Sequence, residues 1–370
     1  MSEFQHYEFQ ALDRALTKAD QDYISRLSSR VRLSATSAEF VYNYGDFRGD
    51  PEQLLDRCFD MMVYRASFGV RRLMIRLPKT TPIEPYEPYC VDYLISLKRM
   101  AKSVILDINL SSETYYDWLS DESHLAGLTE IRADLLRGDL RSLYLAWLQS
   151  GFSESFGMDW QEVVEPPVPP NLKKLSPALK AFVELFEISD DLIAAAAEAS
   201  DAQKLPKEPI ADWVAALSEA ERIKYLVRVA QGESHVGLEL IQRLRAKFGQ
   251  PVTAVQTAGR RTLAELVAAA QQKAEQRQRK VKLAAEKAEQ KRLAALVPKV
   301  DNLWQSVEQL IERKQAKPYD EAVAQLKDLR AIAQQQGTLA AYNQRFQAIE
   351  PIVMRRPGLL RRMRAAGLLS

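Results

Sequence analysis

The chain of 370 residues is poor in cysteine, histidine and glycine, with 2, 3 and 14 of each. Each shortage excludes something. Cys58 and Cys90 cannot build the disulfide framework of a small secreted domain, and they read as reduced thiols of a cytoplasmic protein. Cys58 sits in an apolar stretch and reads as a small core residue. His6, His124 and His235 are far apart, and no Cys-x-x-Cys, His-Glu-x-x-His or His-x-His occurs. Catalytic zinc needs closely patterned ligands, so no metal site is expected. Neither Gly-x-x-x-x-Gly-Lys-Ser/Thr nor Gly-x-Gly-x-x-Gly is present, which argues against an ATPase, a kinase or a dinucleotide oxidoreductase. No cofactor is expected. A Gly-x-Ser-x-Gly elbow for a serine nucleophile is missing too.

Long apolar runs are also lacking. Met1-Ser-Glu-Phe-Gln-His has no basic n-region and no apolar h-region, so no signal peptide is expected. No run approaches the roughly 18 residues that span a bilayer. The expectation is a cytoplasmic protein with no membrane partner.

What remains is ample for folding. The chain is 46% hydrophobic and 27% charged, a composition that buries a sizeable core and, at this length, suggests two or three domains. The net charge of +2 hides an asymmetry. It is about −8 over residues 1–165 and about +10 over 166–370, so the two halves present different surfaces.

The first half alternates short apolar runs with amphipathic ones. Tyr7 to Leu12, Val31 to Ala35 and Glu39 to Tyr44 read as strands. Thr17 caps a helix through Tyr23, Ile24 and Leu27. Asp50-Pro51-Glu52 starts another, with Leu55, Cys58, Phe59 and Met62 on one face. Val70 to Leu77 is a strand ended by Pro78. Cys90 to Leu97 and Ser103 to Leu110 form two more, joined around Met100. Helices near His124 to Leu136 and Leu140 to Leu148 follow. The order β-α-β-α-β-β-β-α-α predicts an α+β domain over 1–164, a mixed sheet with helices on one face.

Glu165-Pro-Pro-Val-Pro-Pro170 reads as a semi-rigid proline-rich linker, 165–171. Beyond it the pattern is all-α. A helical domain over 172–256 includes helices opened by Ser176-Pro177 and capped at Ser189, then Ile210 to Ala230 and Leu238 to Phe248. A long basic low-complexity helix covers 257–300. Its alanine seam (Ala270, Ala274, Val281, Ala284, Ala288) is too thin for a strong coiled coil, so it reads as mostly solvated, with weak helix pairing as its only coiled-coil character. Residues 301–370 read as a helical hairpin with a basic tail. Ala322, Val323, Leu326, Leu329 and Ile332 face Leu339, Tyr342, Phe346 and Ile349 across Gly337.

Three polar groupings can carry binding. Asp46, Arg48 and Asp50 lie between a strand and a helix, where binding loops often sit. The acids suit a cation and the arginine an anion, or the glycines make turns and Asp50 caps. Arg132, Arg137 and Arg141 flank a helix corner and either grip a phosphate or carboxylate or form a solvated corner. Arg355, Arg356, Arg361, Arg362 and Arg364 make the tail a nucleic-acid candidate, or a helix whose arginine stems cover apolar surface. Tyr115, Tyr116 and Trp118, and the run Tyr86 to Tyr93, gather aromatics that are either surface or core.

Glu8-Phe-Gln-Ala-Leu-Asp-Arg14, Tyr44-Gly-Asp-Phe-Arg-Gly-Asp-Pro51, Arg72-Leu-Met-Ile-Arg-Leu-Pro78 and Arg132 through Trp147 resemble a family of uncharacterised bacterial proteins over the first half of the chain. That resemblance implies no activity and no catalytic residues. The last fifty residues, from Tyr319 through Leu368, are similar to helical tails of some bacterial proteins with a SWIM zinc finger. The finger's Cys-x-Cys and Cys-x-His ligands are absent, so its zinc is not implied. The reading that follows is a non-enzymatic intracellular interaction or scaffold protein, with another protein as partner. The alternative is a nucleic-acid-associated protein binding through its basic helical half. An enzymatic reading would set Asp46, Arg48 and Asp50 beside the Arg132 to Arg141 corner.

Overall fold

The computed structural model describes residues 4–43, 45–111, 124–152, 162–203, 208–233, 236–249 and 256–369. Tyr44, Tyr115, Tyr116, Trp118, His235 and Pro251 lie outside them. The chain forms two compact units, Met1–Ala274 and Glu275–Ser370.

The first unit is built on one sheet. Its strands are β1 (Gln5–Gln10), β2 (Arg32–Leu33), β3 (Ser37–Tyr42), β4 (Met61–Ala66), β5 (Val70–Pro78), β6 (Ile95–Arg99) and β7 (Ser103–Ser111). They run in the order β2-β3-β1-β4-β5-β7-β6. The α+β class expected from sequence is what forms. In detail, every strand pair is antiparallel rather than mixed. Side-chain alternation divides the apolar residues between two faces. Val63, Leu73, Ile75, Leu106 and Ile108 face one core, and Phe9, Phe40, Met62, Met74 and Ile105 the other.

Helices cover both faces, not one. Helices α1 (Lys18–Leu27) and α2 (Pro51–Arg57) supply Ile24, Leu54 and Leu55 to the second core. Helices α3 (Leu125–Leu136), α4 (Arg141–Ser150), α5 (Pro177–Leu185) and α6 (Asp190–Ala196) supply Leu128, Leu143, Phe182 and Leu192 to the first. Their starts follow local chemistry. Thr17 and Asp20 make a reciprocal capping box on α1, Asp50 caps α2 ahead of Pro51, and Ser176 caps α5 ahead of Pro177. Each side-chain oxygen satisfies an orphan backbone N–H, and proline at the first position has no N–H to orphan.

Strand β4 is a correction to the sequence reading, which carries the α2 stripe on to Met62. The helix stops at Arg57, and the next run is buried on both faces. A central strand of that kind shows no period-two alternation and mimics a helical stripe.

The proline segment is not a spacer. Glu165, Pro166, Val168, Pro169 and Pro170 are buried. Val168 exchanges backbone hydrogen bonds with Thr257 at 2.7 and 3.1 Å, and Glu165 N donates to Arg261 O at 2.8 Å. Proline supplies extended backbone without needing donors at every position, so the segment pairs where it has N–H groups and packs where it has rings. The helical stretch that follows therefore belongs to the first unit. The span read as one helix from Ile210 is two, α7 (Ile210–Ala215) and α8 (Glu219–Ala230), because Ser218 caps a new start. Helix α9 (Val236–Phe248) follows.

Helix α10 (Leu263–Leu296) has 34 residues, about 50 Å at 1.5 Å per residue. Leu263 and Leu266 are buried in the first unit's core. Residues 275–292 are exposed on every side, so this stretch is a solvated helix.

The second unit holds the end of α10, then α11 (Val300–Glu312), α12 (Ala316–Gln336), α13 (Leu339–Met354) and α14 (Pro357–Ala365). Helices α12 and α13 form the expected hairpin, with Gly337 in the left-handed region at φ +69°. Helix α11 completes it by burying Trp304, Val307, Leu310 and Ile311. Trp304 and Tyr342 meet with ring centroids 5.5 Å apart.

Candidate functional site

The Asp46–Asp50 loop is positioned by Phe47, whose buried ring packs on Tyr7, Phe9 and Phe40. Asp46 Oδ1 accepts from Gln5 Nε2 at 2.8 Å. Gln5 Oε1 in turn accepts the hydroxyls of Tyr64 and Tyr7 at 3.0 and 3.3 Å. Burial pushes both tyrosine hydroxyls above their ordinary pKa, so they are neutral hydrogen-bonding groups at neutral pH. Asp50 accepts from the backbone N–H groups of Glu52 and Gln53 at 2.9 and 3.2 Å. Arg48 is exposed. The three residues therefore do separate things, two of them structural.

The three arginines of the helix corner separate as well. Arg132 is 1% exposed. Its two terminal nitrogens donate to the two carboxylate oxygens of Asp13, each at 2.7 Å, and its Nε donates to Arg76 O at 2.7 Å. Asp60 lies 3.5 Å from the same guanidinium. It accepts the backbone N–H of Leu12 at 2.6 Å and of Asp13 at 2.9 Å, and a further bond from Arg76. Burial opposes the charge on Asp60, but Arg132 and Arg76 outweigh it and hold the carboxyl below its usual range. Arg137 pairs with Asp134 and, at 3.3 Å, with Glu208, which Arg245 also holds at 2.9 Å. Arg141 binds Asp139 at 2.6 Å and the carbonyls of Asn171 and Lys174 at 3.3 and 3.0 Å. An open grip for a phosphate is not assembled, since each fork already holds a different carboxylate.

Sequence reading missed a buried polar group on the β1–β3–β4 face. His6 Nε2 lies 2.8 Å from Glu39 Oε1, and Arg65 Nη2 lies 3.3 Å from His6 Nδ1. The signal available was His6 and Glu8 alternating with Tyr7 and Phe9 in one strand. The aromatic run resolves into both its readings. Tyr86 and Tyr89 are buried, and Tyr93 is 90% exposed. Among the described residues no three His, Cys, Asp or Glu side chains gather as a metal site requires. No described helix is long and apolar enough to cross a membrane.

Helix α8 is the unusual feature of the first unit. One face is ionic and turned inward to α9. Glu221 pairs with Arg243 and Lys247 at 3.2 and 3.1 Å, and Arg228 pairs with Glu239 at 2.7 Å. The opposite face is apolar and turned out. Ile223, Leu226 and Val227 are 52%, 67% and 46% exposed, and Ala230 continues the stripe in solvent. These are the i, i+3, i+4 and i+7 positions of one helical face. Arg222 and Lys224 are exposed on its two flanks.

The tail arginines divide. Arg362 Nε donates to Asp320 at 2.6 Å and its Nη1 to Gly358 O at 3.0 Å, and Arg356 donates to Ile311 O. Arg355, Arg361 and Arg364 face solvent.

Comparison with protein-family models, with curated proteins and with solved structures yields no match.

Proposed function

We propose that the protein is a non-enzymatic interaction protein whose first unit docks a partner protein through α8. The observation that carries this is the inverted burial of that helix. An amphipathic helix in a globular unit ordinarily buries its apolar stripe and exposes its charges. Here Ile223, Leu226 and Val227 remain in water while Glu221 and Arg228 are engaged by α9. A helix presenting anchors at i, i+3, i+4 and i+7 fits an apolar groove on another protein. Burying three such side chains contributes roughly 1.5–3 kcal/mol each before the costs of association. Arg222 and Lys224 on the flanks match a groove with an acidic rim. The dispersal of Asp46, Asp50, Arg132, Arg137 and Arg141 among separate internal partners supports a binding role over a catalytic one.

The test is affinity capture on nuclease-treated lysate with full-length protein and with I223E/L226E, paired with sedimentation of each variant alone. A partner held by the native chain and lost by the variant is expected, with both chains monomeric. The same captured set on both proteins would sink the reading.

A further inference from the structure

The two chain corners at one end of the second unit meet in space. Arg356, between α13 and α14, donates to the carbonyl of Ile311 near the end of α11. Arg362 pairs with Asp320 near the start of α12 at 2.6 Å, and Gly358 lies against the Tyr319 ring, 3.9 Å from where its Cβ would stand. At the far end Arg330 donates to Gly367 O at 2.7 Å. Helix α14 therefore runs alongside α12 in the same direction, and residues 312–317 sit beside residues 354–357. Segments more than 40 positions apart in sequence thus form one surface.

That surface is basic. It brings the exposed Arg313, Lys314, Lys317 and Arg355 together, with the half-buried Arg356 between them and the exposed Arg361 one turn into α14. Glu312 and Glu321 are the exposed acids nearby, and Asp320 is already paired with Arg362. The whole second unit has 19 Lys and Arg against 10 Asp and Glu, a net +9. The first unit is left at −7, so the basic character lies in the second unit alone.

Its aromatics decide what kind of polyanion fits. The unit's four, Trp304, Tyr319, Tyr342 and Phe346, are all buried. Its surface therefore offers no platform on which unpaired bases can stack. Nor does it offer the exposed Trp or Phe with which interfacial helices enter a lipid headgroup layer, and Ile352 and Met354, about half exposed, are a small apolar area for that purpose. A cluster of cations held rigid by a helical bundle, without stacking groups, suits phosphates at regular spacing on a stiff backbone. We propose that this corner, Arg313, Lys314, Lys317, Arg355 and Arg361, binds the phosphate backbone of double-stranded nucleic acid without reading sequence. This goes beyond the α8 reading and rests on a different unit.

The test is fluorescence anisotropy of full-length protein with a labelled duplex of about 25 base pairs, across roughly 50 to 200 mM salt. Five phosphate contacts predict an affinity that falls on the order of several hundredfold over that range. R313A/K317A/R355A is expected to weaken duplex binding at least about tenfold and to lower the log–log salt slope by about 3. K282A/K287A/K291A removes the same charge from exposed α10 and is expected to stay within about threefold of the native chain. I223E/L226E is expected to bind the duplex as the native chain does, which separates this surface from α8. Equal losses in the two triple variants would overturn the proposal, because net charge and not the corner would then be responsible. So would tighter binding to a single strand of the same length, or binding to phosphatidylserine vesicles with none to duplex.

Discussion

Arg261 donates from Nε and Nη2 to the two carboxylate oxygens of Glu165, at 2.8 and 2.9 Å, across 96 positions of chain. Tyr144 adds its hydroxyl to the same carboxylate at 2.6 Å. The rest of the Arg261 guanidinium donates to the carbonyls of Ala195 and Ala196 at 2.8 and 3.0 Å. One ion pair thus fastens the proline segment, the end of α6 and the approach to α10 into a single core. Glu165 is 1% exposed and Arg261 25%, so water screens little of it. Removing one partner of a buried pair leaves a charge without compensation. Arg261→Ala is expected to destabilise the first unit by about 3–5 kcal/mol. Urea denaturation followed by tryptophan fluorescence measures it, and a midpoint unchanged from the native chain would refute the role given to this pair.

Acid should weaken the first unit through named carboxylates. Burial disfavours the charged forms of Asp20, Asp60 and Glu165, but their hydrogen bonds and arginine neighbours outweigh it, and all three are held below the ordinary range. Asp20 is lowered to about 2. A folded pKa below the unfolded one means stability that is complete above the unfolded value, and is lost as pH falls through the folded one. The loss is therefore expected between about pH 4 and pH 2. Asp20→Asn should start less stable and flatten that part of the curve. A native chain whose urea midpoint holds constant down to pH 2 would contradict this.

Arg132 tests the buried charge cluster at the edge of the α3 interface. Arg132→Leu keeps apolar volume but leaves Asp60, itself 2% exposed, with Arg76 as its remaining cation. A loss of about 3 kcal/mol or more is expected. Arg132→Lys should recover part of it and not all, since one ammonium cannot reproduce the fork onto both oxygens of Asp13. Thermal unfolding of the three proteins would show the ranking native, Lys, Leu; Leu and Lys equal to native would refute it.

Gly337 tests the hairpin of the second unit. Its φ is +69°, and nothing lies within 4 Å of where a Cβ would sit. Only backbone strain therefore opposes a side chain. Gly337→Ala is expected to cost about 1–2 kcal/mol from the left-handed conformation alone. Gly337→Asn should cost less, because asparagine tolerates that region better than alanine does. Calorimetry on the full chain reads both, and an alanine variant as stable as asparagine would tell against the assignment.

Much of the helical architecture was legible in the residues. Asp50-Pro51, Ser176-Pro177, Thr17 and Gly337 each mark a helix end, because capping is chemistry between residues two to four positions apart. The solvated character of α10 followed from its missing large side chains. Strand β4 was not legible, since a strand buried on both faces carries no alternation. Helix α11 carries a weaker signal between a low-complexity helix and a clearer hairpin, although Trp304, Val307 and Ile311 keep a helical spacing. Glu165-Pro-Pro-Val-Pro-Pro170 has the composition of a linker, and composition does not say whether proline rings meet water or a core.

By itself, then, the sequence determined where the clearly capped helices begin or end, which stretch stays bare, and the sign of charge on each half. Those follow from neighbours within a turn or from totals that folding cannot change. The tertiary structure alone decided which charges are left over. Arg132 finds Asp13 across 119 positions and Arg261 finds Glu165 across 96, while Arg313 and Arg355 come to share an open surface. It also turned the apolar stripe of α8 outward and set Glu221 and Arg228 against α9. Pair energies depend on distance and burial, and both belong to the fold rather than to the order of residues.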